Sequence, residues 1–205
     1  MTDRAIKDKG NLVYLIKICV ITAIGGFLFG FDTAVISGAL NPLTEYFQLG
    51  DKPILLGWTV SSVLLGSILG AAISGIADKV GRKNTLISAG IFFTLSALGS
   101  ALAESLTIFI IARFIGGLGV GMAAMVVPLY ISEVSPPKIR GRMVSMYQLF
   151  ITLGILIAYF TNDYFRSLSE GFNLENNITG LMSWIISDVW RIMLGSELIP
   201  AFIFL

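Results

Sequence analysis

Six long apolar runs, at about 13–36, 54–77, 85–103, 106–132, 143–161 and 189–205, limit what this chain can fold into. A helix crosses the hydrocarbon core of a bilayer with about 20 predominantly apolar residues. Each run is of that order and is crowded with Leu, Ile, Val, Phe, Ala and Gly. Strands of a membrane β-barrel would be about 10 residues long and would alternate in polarity; these runs do neither. Charged residues make up only 13% of the chain, against about 25% in a soluble domain. Both observations point to an all-α membrane protein.

The cations orient the spans. Arg4, Lys7 and Lys9 precede the first run. Lys79, Arg82 and Lys83 join the second to the third, and Lys138, Arg140 and Arg142 join the fourth to the fifth. The other side carries Lys52 and Arg166, with Arg191 near its boundary, and the acids Glu45, Asp51, Asp163, Glu170, Glu175 and Asp188. Cationic loops stay in the cytoplasm, which predicts a cytoplasmic N-terminus. The first run continues to about Phe31 with no small-x-small cleavage motif, so it reads as an uncleaved span. The segment 162–188 is the one long polar connection, placed on the outer side; Asn177-Ile-Thr179 within it matches a glycosylation sequon.

Several chemistries are excluded. Net charge is +1, so no nucleic-acid footprint is expected. Cys19 is the only cysteine and there is no histidine. That removes intramolecular disulfides, cysteine metal clusters and histidine triads. An enzyme is not expected, nor is a metal or other cofactor.

The stretch Pro128–Gln148 shows how the chain turns between two spans. One carboxylate, Glu133, three cations and a Pro-Pro break separate two apolar runs. The residue before a proline is pushed out of the helical region, so the helix should stop near Ser135 and Pro136. Arg140-Gly-Arg142 then opens the next helix, where cations oppose the dipole and call for a nearby anion. Asp78-Lys-Val-Gly81-Arg82-Lys83 is a second turn bearing both signs on the same side. The two turns are either plain topology markers or an ion-pair network tying helix ends together. Exposed pairs contribute roughly 0–1 kcal/mol each, which suits a reversible latch.

Small residues recur at helical spacing: Ser62, Gly66, Gly70 and Ser74 in the second run, Gly117 and Gly121 in the fourth. They let helix backbones approach in lipid. Gly25-Gly-Phe-Leu-Phe-Gly30 and Gly116-Gly-Leu-Gly-Val-Gly121 also echo each other across spans of opposite direction. A three-plus-three inverted repeat of that kind is a transporter signature.

Charges within the runs are costly, roughly 2.5–3.5 kcal/mol at the centre of a span. Asp32 lies in the first, about 6 Å inside its outer end if that end is Ile36, and Arg113 about 10 Å inside the outer end of the fourth. Either the two meet in the bundle interior or Asp32 merely begins a loop. Dehydration penalises an ionised carboxylate and a neighbouring guanidinium stabilises it. Such opposing pulls suit a group that takes and releases a proton. Glu197, just before Pro200, is a second candidate or an ordinary helix-interior polar contact. Gln148, in the frame Tyr147-Gln148-Leu-Phe-Ile151-Thr152, offers two donors and an acceptor, a match for a sugar hydroxyl. Phe29 is either packing or an apolar wall beside a sugar ring.

Three of these stretches carry a resemblance. Gly25–Gly38, Asp78–Lys83 and Pro128–Gln148 resemble the sugar porter family of the major facilitator superfamily. The Asp-Lys-x-Gly-Arg-Lys turn marks the superfamily, and the other two are specific to sugar porters. The end, Asp188-Val-Trp-Arg191 through Glu197-Leu-Ile-Pro200, looks most like bacterial proton-coupled pentose and polyol carriers of the D-xylose symporter type. The resemblance implies a membrane-embedded sugar–proton symporter in a bacterial inner membrane. Its partners would be a small-molecule sugar, the proton and the lipid bilayer. By the same resemblance Asp32 would accept the proton, with Arg113 its partner and Glu197 an accessory acid. Phe29, Gln148 and Ile151 would face the sugar, and Asp78, Arg82, Glu133, Arg140 and Arg142 would form a cytoplasmic gate network. Sugar porters have twelve spans in two halves. The resemblance therefore implies that residues 1–205 are the six-helix N-terminal bundle, a 3+3 inverted repeat, with the C-terminal half missing. A passive sugar facilitator and a non-transporting sensor or inactive fragment are the alternatives.

Overall fold

The computed structural model describes residues 2–75, 77–173 and 188–205. The helices in order are α1 (Thr2–Tyr46), α2 (Pro53–Ser74), the short α3 (Ala77–Val80), α4 (Arg82–Ala101), α5 (Leu106–Val134), α6 (Arg140–Asn173), α7 (Val189–Gly195) and α8 (Leu198–Phe204). Among the described residues five helices are long and apolar enough to cross a membrane: Val13–Tyr46, Pro53–Ser74, Arg82–Ala101, Leu106–Val134 and Arg140–Glu170.

Local chemistry sets the helix ends. Pro53 opens α2 at its first turn, where a missing N–H leaves nothing unpaired. Ser105 caps α5 by accepting from the Ile108 amide. That helix stops at Val134, and Ser135, before a proline, is extended at φ −89° and ψ 132°. Gly81, at φ +95°, makes the turn into α4 with a backbone angle that side chains disfavour. Arg140 begins α6.

The outer boundaries differ from the sequence expectation in two places. α1 does not end near Ile36 but runs to Tyr46. Its last turns are held by buried Ala39 and Leu43 and by back-bonding from the hydroxyls of Ser37 and Thr44. Asp32 therefore lies about 21 Å from the helix end at about 1.5 Å per residue, well inside the bundle. Residues 162–173 are helix, not the start of an outer loop. Asn162 is buried and donates to the carbonyls of Ala34 and Val35 on α1 at 3.4 and 3.2 Å. One turn beyond, Arg166 pairs with Glu170 at 2.9 Å along the exposed face. The Asn177 sequon and Glu175 lie outside the described residues, as do the side chains of Arg4, Lys7, Lys9 and Asp78.

The sixth run is two short helices in succession rather than one. Pro200 has no N–H to give the Ser196 carbonyl, and its ring crowds that group. The backbone compensates with three-residue steps, Glu197 N–H to Leu194 O at 3.3 Å and Ile199 N–H to Ser196 O at 3.2 Å. The junction between α7 and α8 thus falls on Ser196 and Glu197.

Packing follows the logic of lipid, in which large apolar side chains gain nothing by turning inward. In α2 the buried residues are Thr59, Ser62, Gly66, Gly70 and Ser74, whereas Leu64, Leu65, Ile68, Leu69 and Ile73 face outward. Two helix pairs make the most extensive contacts, α2 with α5 and α1 with α6. In the first, the backbone at Gly66 and Gly117 meets face to face, and Gly121 lies on the Ser67 carbonyl. In the second, Gly30 lies on the Ile151 carbonyl and Gly154 on the Phe27 carbonyl. Exchanging the first three spans with the last three maps one pair onto the other, as an inverted repeat requires.

Candidate functional site

The charged residues of α1 and α5 meet in the bundle interior. Asp32 and Arg113 are each 1% exposed. The guanidinium grips the carboxylate with both terminal nitrogens, Nη1 donating to Oδ1 and Nη2 to Oδ2, the latter at 3.3 Å. This fork geometry is the strong form of a charge-assisted pair. Of the two sequence readings for Asp32, interior pairing is the one the structure has.

Glu197, also 1% exposed, reaches the pair from the α7–α8 junction. It lies close enough to both residues for charge–charge interaction. Among the described residues its Oε1 has no hydrogen-bond partner, nor has Nε of Arg113. The cluster thus holds two carboxyl groups for one guanidinium. Two carboxyl groups can hydrogen-bond each other only when one carries a proton.

A cavity of about 590 Å³ opens between α1, α2 and α5, with Phe29, Asp32, Thr33, Ser61, Ser67 and Arg113 among its lining residues. Its size suits a small ligand. Phe29 is therefore beside the charge cluster. Gln148 is exposed on α6 and is not part of this lining. Ile151 is half-buried, its carbonyl against Gly30. A second cavity, about 620 Å³ between α1, α6 and α8, is almost wholly apolar and has no charged residue in its lining.

At the cationic end Arg82 pairs with Glu133, with Nη2–Oε1 at 3.0 Å and Nε–Oε2 at 3.4 Å. This links the start of α4 to the end of α5. Arg140 donates to the Ser135 carbonyl at 3.4 Å, tying the start of α6 to the same helix end. Arg142 is exposed.

The sequence did not single out two buried polar sets. One is Asn162, already described. The other is Arg191, whose guanidinium bonds Asp188 at 2.9 Å, the Ala101 carbonyl at 3.1 Å and the Tyr46 hydroxyl at 3.0 Å. It stacks 4.6 Å from the centre of the Trp190 ring. The Asp188-Val-Trp-Arg191 spacing was the signal, an i, i+3 ion pair at a helix start with an aromatic between.

Residues 18–205 match the family model described as "Sugar (and other) transporter". The chain is 45% identical over 200 residues to a glucose transport protein of Synechocystis sp., covering 97% of this chain and 41% of that protein. It is 40% identical over 195 residues to an arabinose-proton symporter of Bacillus subtilis, covering 95% and 39% respectively. Among solved structures it resembles the xylose transporter XylE from E. coli in a partially occluded inward-open conformation. That match has TM-score 0.80 and 35% identity, over 93% of this chain and 48% of that one. The same comparison with the proton:xylose symporter bound to 6-bromo-6-deoxy-D-glucose gives TM-score 0.82 and 36% identity, over 95% of this chain and 44% of that one. The chain spans about two fifths of the length of the curated relatives it matches and corresponds to an N-terminal half. It belongs to the sugar transporter family of the major facilitator superfamily, a family of membrane proteins and not of enzymes.

Proposed function

We propose that this chain is the N-terminal half of a twelve-helix carrier that moves a pentose, hexose or polyol together with a proton by alternating access. The observation that carries this is the buried Asp32–Arg113 pair with Glu197 against it, at the wall of a cavity of ligand size. An acid cluster with one cation for two carboxyl groups has a place for an exchangeable proton inside the membrane. Asp32 accepts it, Arg113 exchanges partners, and Glu197 shares the load. Phe29 borders the sugar; Gln148 and Ile151 contribute from α6 once the second bundle faces them. The cationic end faces the cytoplasm, and Arg82, Glu133, Arg140, Arg142 and Asp78 act there as the gate. The pair between Arg82 and Glu133 supports this role, since it is half-exposed and weak enough to open. The bilayer is a bacterial inner membrane, with the N-terminus cytoplasmic.

The test is Asp32→Asn in the complete carrier, assayed in vesicles with an imposed proton gradient. Uphill uptake is expected to vanish while sugar exchange persists; uphill uptake at the original rate would refute the coupling role. The similarity to a glucose transport protein of Synechocystis sp. keeps a passive facilitator as the second reading. Alkalinisation of the medium during sugar entry separates the two: symport requires it and facilitation does not produce it.

A further inference from the structure

Four buried polar atoms have no hydrogen-bond partner at one level of the bundle: Oγ of Ser96, Oγ of Ser100, Nε of Arg113 and Oε1 of Glu197. All four residues are 1% exposed. The serines stand out on their own helix. Thr85, Ser88 and Thr94 of α4 each return their hydroxyl to a carbonyl four residues back, at 3.1, 3.0 and 2.9 Å. That is the usual fate of such a group in a helix, and Ser96 and Ser100 depart from it.

Two helix registers set these residues at one level. α4 runs antiparallel to α5, with Gly99 against Ala112 and Ser96 against Gly116. Arg113 is therefore level with Leu98. α4 also runs antiparallel to the α7–α8 element, with Ala101 against Gly195 and Gly90 against Leu205. Counting along that register sets Glu197 level with Leu98 as well. Ser96 and Ser100, one turn apart on one face of α4, bracket this level from either side.

A buried polar group left unpaired costs about 1–3 kcal/mol, and native interiors pair nearly all of them. A buried water makes two to four hydrogen bonds. The four groups offer that set: two hydroxyls that donate and accept, one guanidinium N–H donor and one carboxyl acceptor. We infer that Ser96 and Ser100 hold an internal water that bonds Glu197 and Arg113, making α4 a fourth wall of the acid cluster. The serines are positioning residues. They fix the orientation of the Glu197 carboxyl and of the guanidinium edge turned away from Asp32. The titratable groups around this level are Asp32 from α1, Arg113 from α5 and Glu197 itself, with the Asp188–Arg191 pair on α7 next along. The role given to the water rests on the coupling function proposed above, whereas its presence does not.

The test is infrared difference spectroscopy of the complete carrier in lipid, between acid and neutral pH. The wild type is compared with the Ser96→Ala/Ser100→Ala double variant and with Ser100→Ala alone, which leaves the contact with Gly116 untouched. Glu197→Gln assigns its carboxyl band. The expected result has two parts. A sharp O–H stretching band moves when heavy-oxygen water is exchanged in and is lost in the double variant. The Glu197 C=O stretch shifts upward as its hydrogen bond disappears, with helix content unchanged by circular dichroism. A water band that survives in the double variant, or a C=O stretch that stays in place in both variants, overturns the inference. These readouts do not depend on transport. Loss of the band together with intact uphill uptake in Asp32→Asn would keep the water site and remove the coupling role.

Discussion

Charge balance in the acid cluster predicts an asymmetry between its members. Arg113 is the one cation for Asp32 and Glu197, all three almost fully buried. Replacing it, as in Arg113→Gln, leaves two dehydrated carboxyl groups without a counter-ion. Breaking a buried pair from one side costs about 3–5 kcal/mol, roughly a hundred- to several-thousand-fold in the folded ratio at about 1.4 kcal/mol per factor of ten. Asp32→Asn is milder. The amide oxygen still accepts from the guanidinium, and Glu197 remains as the counter-ion. The loss is then the difference between a charge-assisted and a neutral hydrogen bond, about 1–2 kcal/mol.

The double variant Asp32→Asn/Glu197→Gln completes the design. It strands the guanidinium, so its penalty should exceed the sum of the two single penalties by about 1–3 kcal/mol, as coupled neighbours do. Equilibrium unfolding in mixed micelles measures the wild type, Arg113→Gln, Asp32→Asn, Glu197→Gln and the double variant, with circular dichroism confirming that each begins folded. Equal penalties for Arg113→Gln and Asp32→Asn, or strict additivity in the double variant, would refute Glu197 as the second counter-ion. A penalty below about 1 kcal/mol for Arg113→Gln would show that the pair is not dehydrated at all.

Four further outcomes follow from the packing and the cationic end. Gly121→Ala should destabilise by about 1–3 kcal/mol, because its new Cβ would press on the Ser67 carbonyl. Gly57→Ala, with nothing within 4 Å of the added atom, should be near neutral in the same thermal unfolding assay. Asn162→Leu should cost about 1–3 kcal/mol by removing its bonds to the Ala34 and Val35 carbonyls, read from the same melts. Glu133→Gln should change stability by at most about 1 kcal/mol, with the difference from wild type shrinking as salt is raised, since Glu133 is 45% exposed.

The span pattern and the pairing of Asp32 with Arg113 were legible in the sequence because both depend on rules that hold for single residues in lipid. A run of 20 apolar residues has few alternatives, and a charge within one needs a partner. The two candidate charges also lay at depths that agreed when counted from the ends of their spans. The true depth of Asp32 was hidden, because α1 continues to Tyr46 through Ser37, Pro42 and Thr44, residues that read as the start of a loop. Asn162 was assigned to a loop for the same reason: it is polar and follows an apolar run. Only the tertiary register, which sets it against Gly38, makes it an interior residue. The break at Ser196 was signalled by Pro200, but where it sets Glu197 depends on packing with α4 and α1 that no local rule supplies.

The buried ionic groups sort by how completely they are satisfied. Among the described residues the buried charged side chains are Asp32, Arg113, Asp188, Arg191 and Glu197. Arg191 is held by a carboxylate, a carbonyl, a phenol and an aromatic face. A network so closed resists rearrangement, since any shift breaks several bonds at once, and it fixes the start of α7 to the ends of α1 and α4. The cluster at Asp32 uses the same residue types with the opposite balance. It has an acid in excess, unpartnered atoms on Arg113 and Glu197, and a cavity at its side. An unsatisfied buried network is expensive in a merely structural role, where apolar residues of the same volume would be at least as stable. The two clusters sit about one and a half turns apart along the α7–α8 element, so that element is fixed at one end and faces the incompletely satisfied acid cluster at the other.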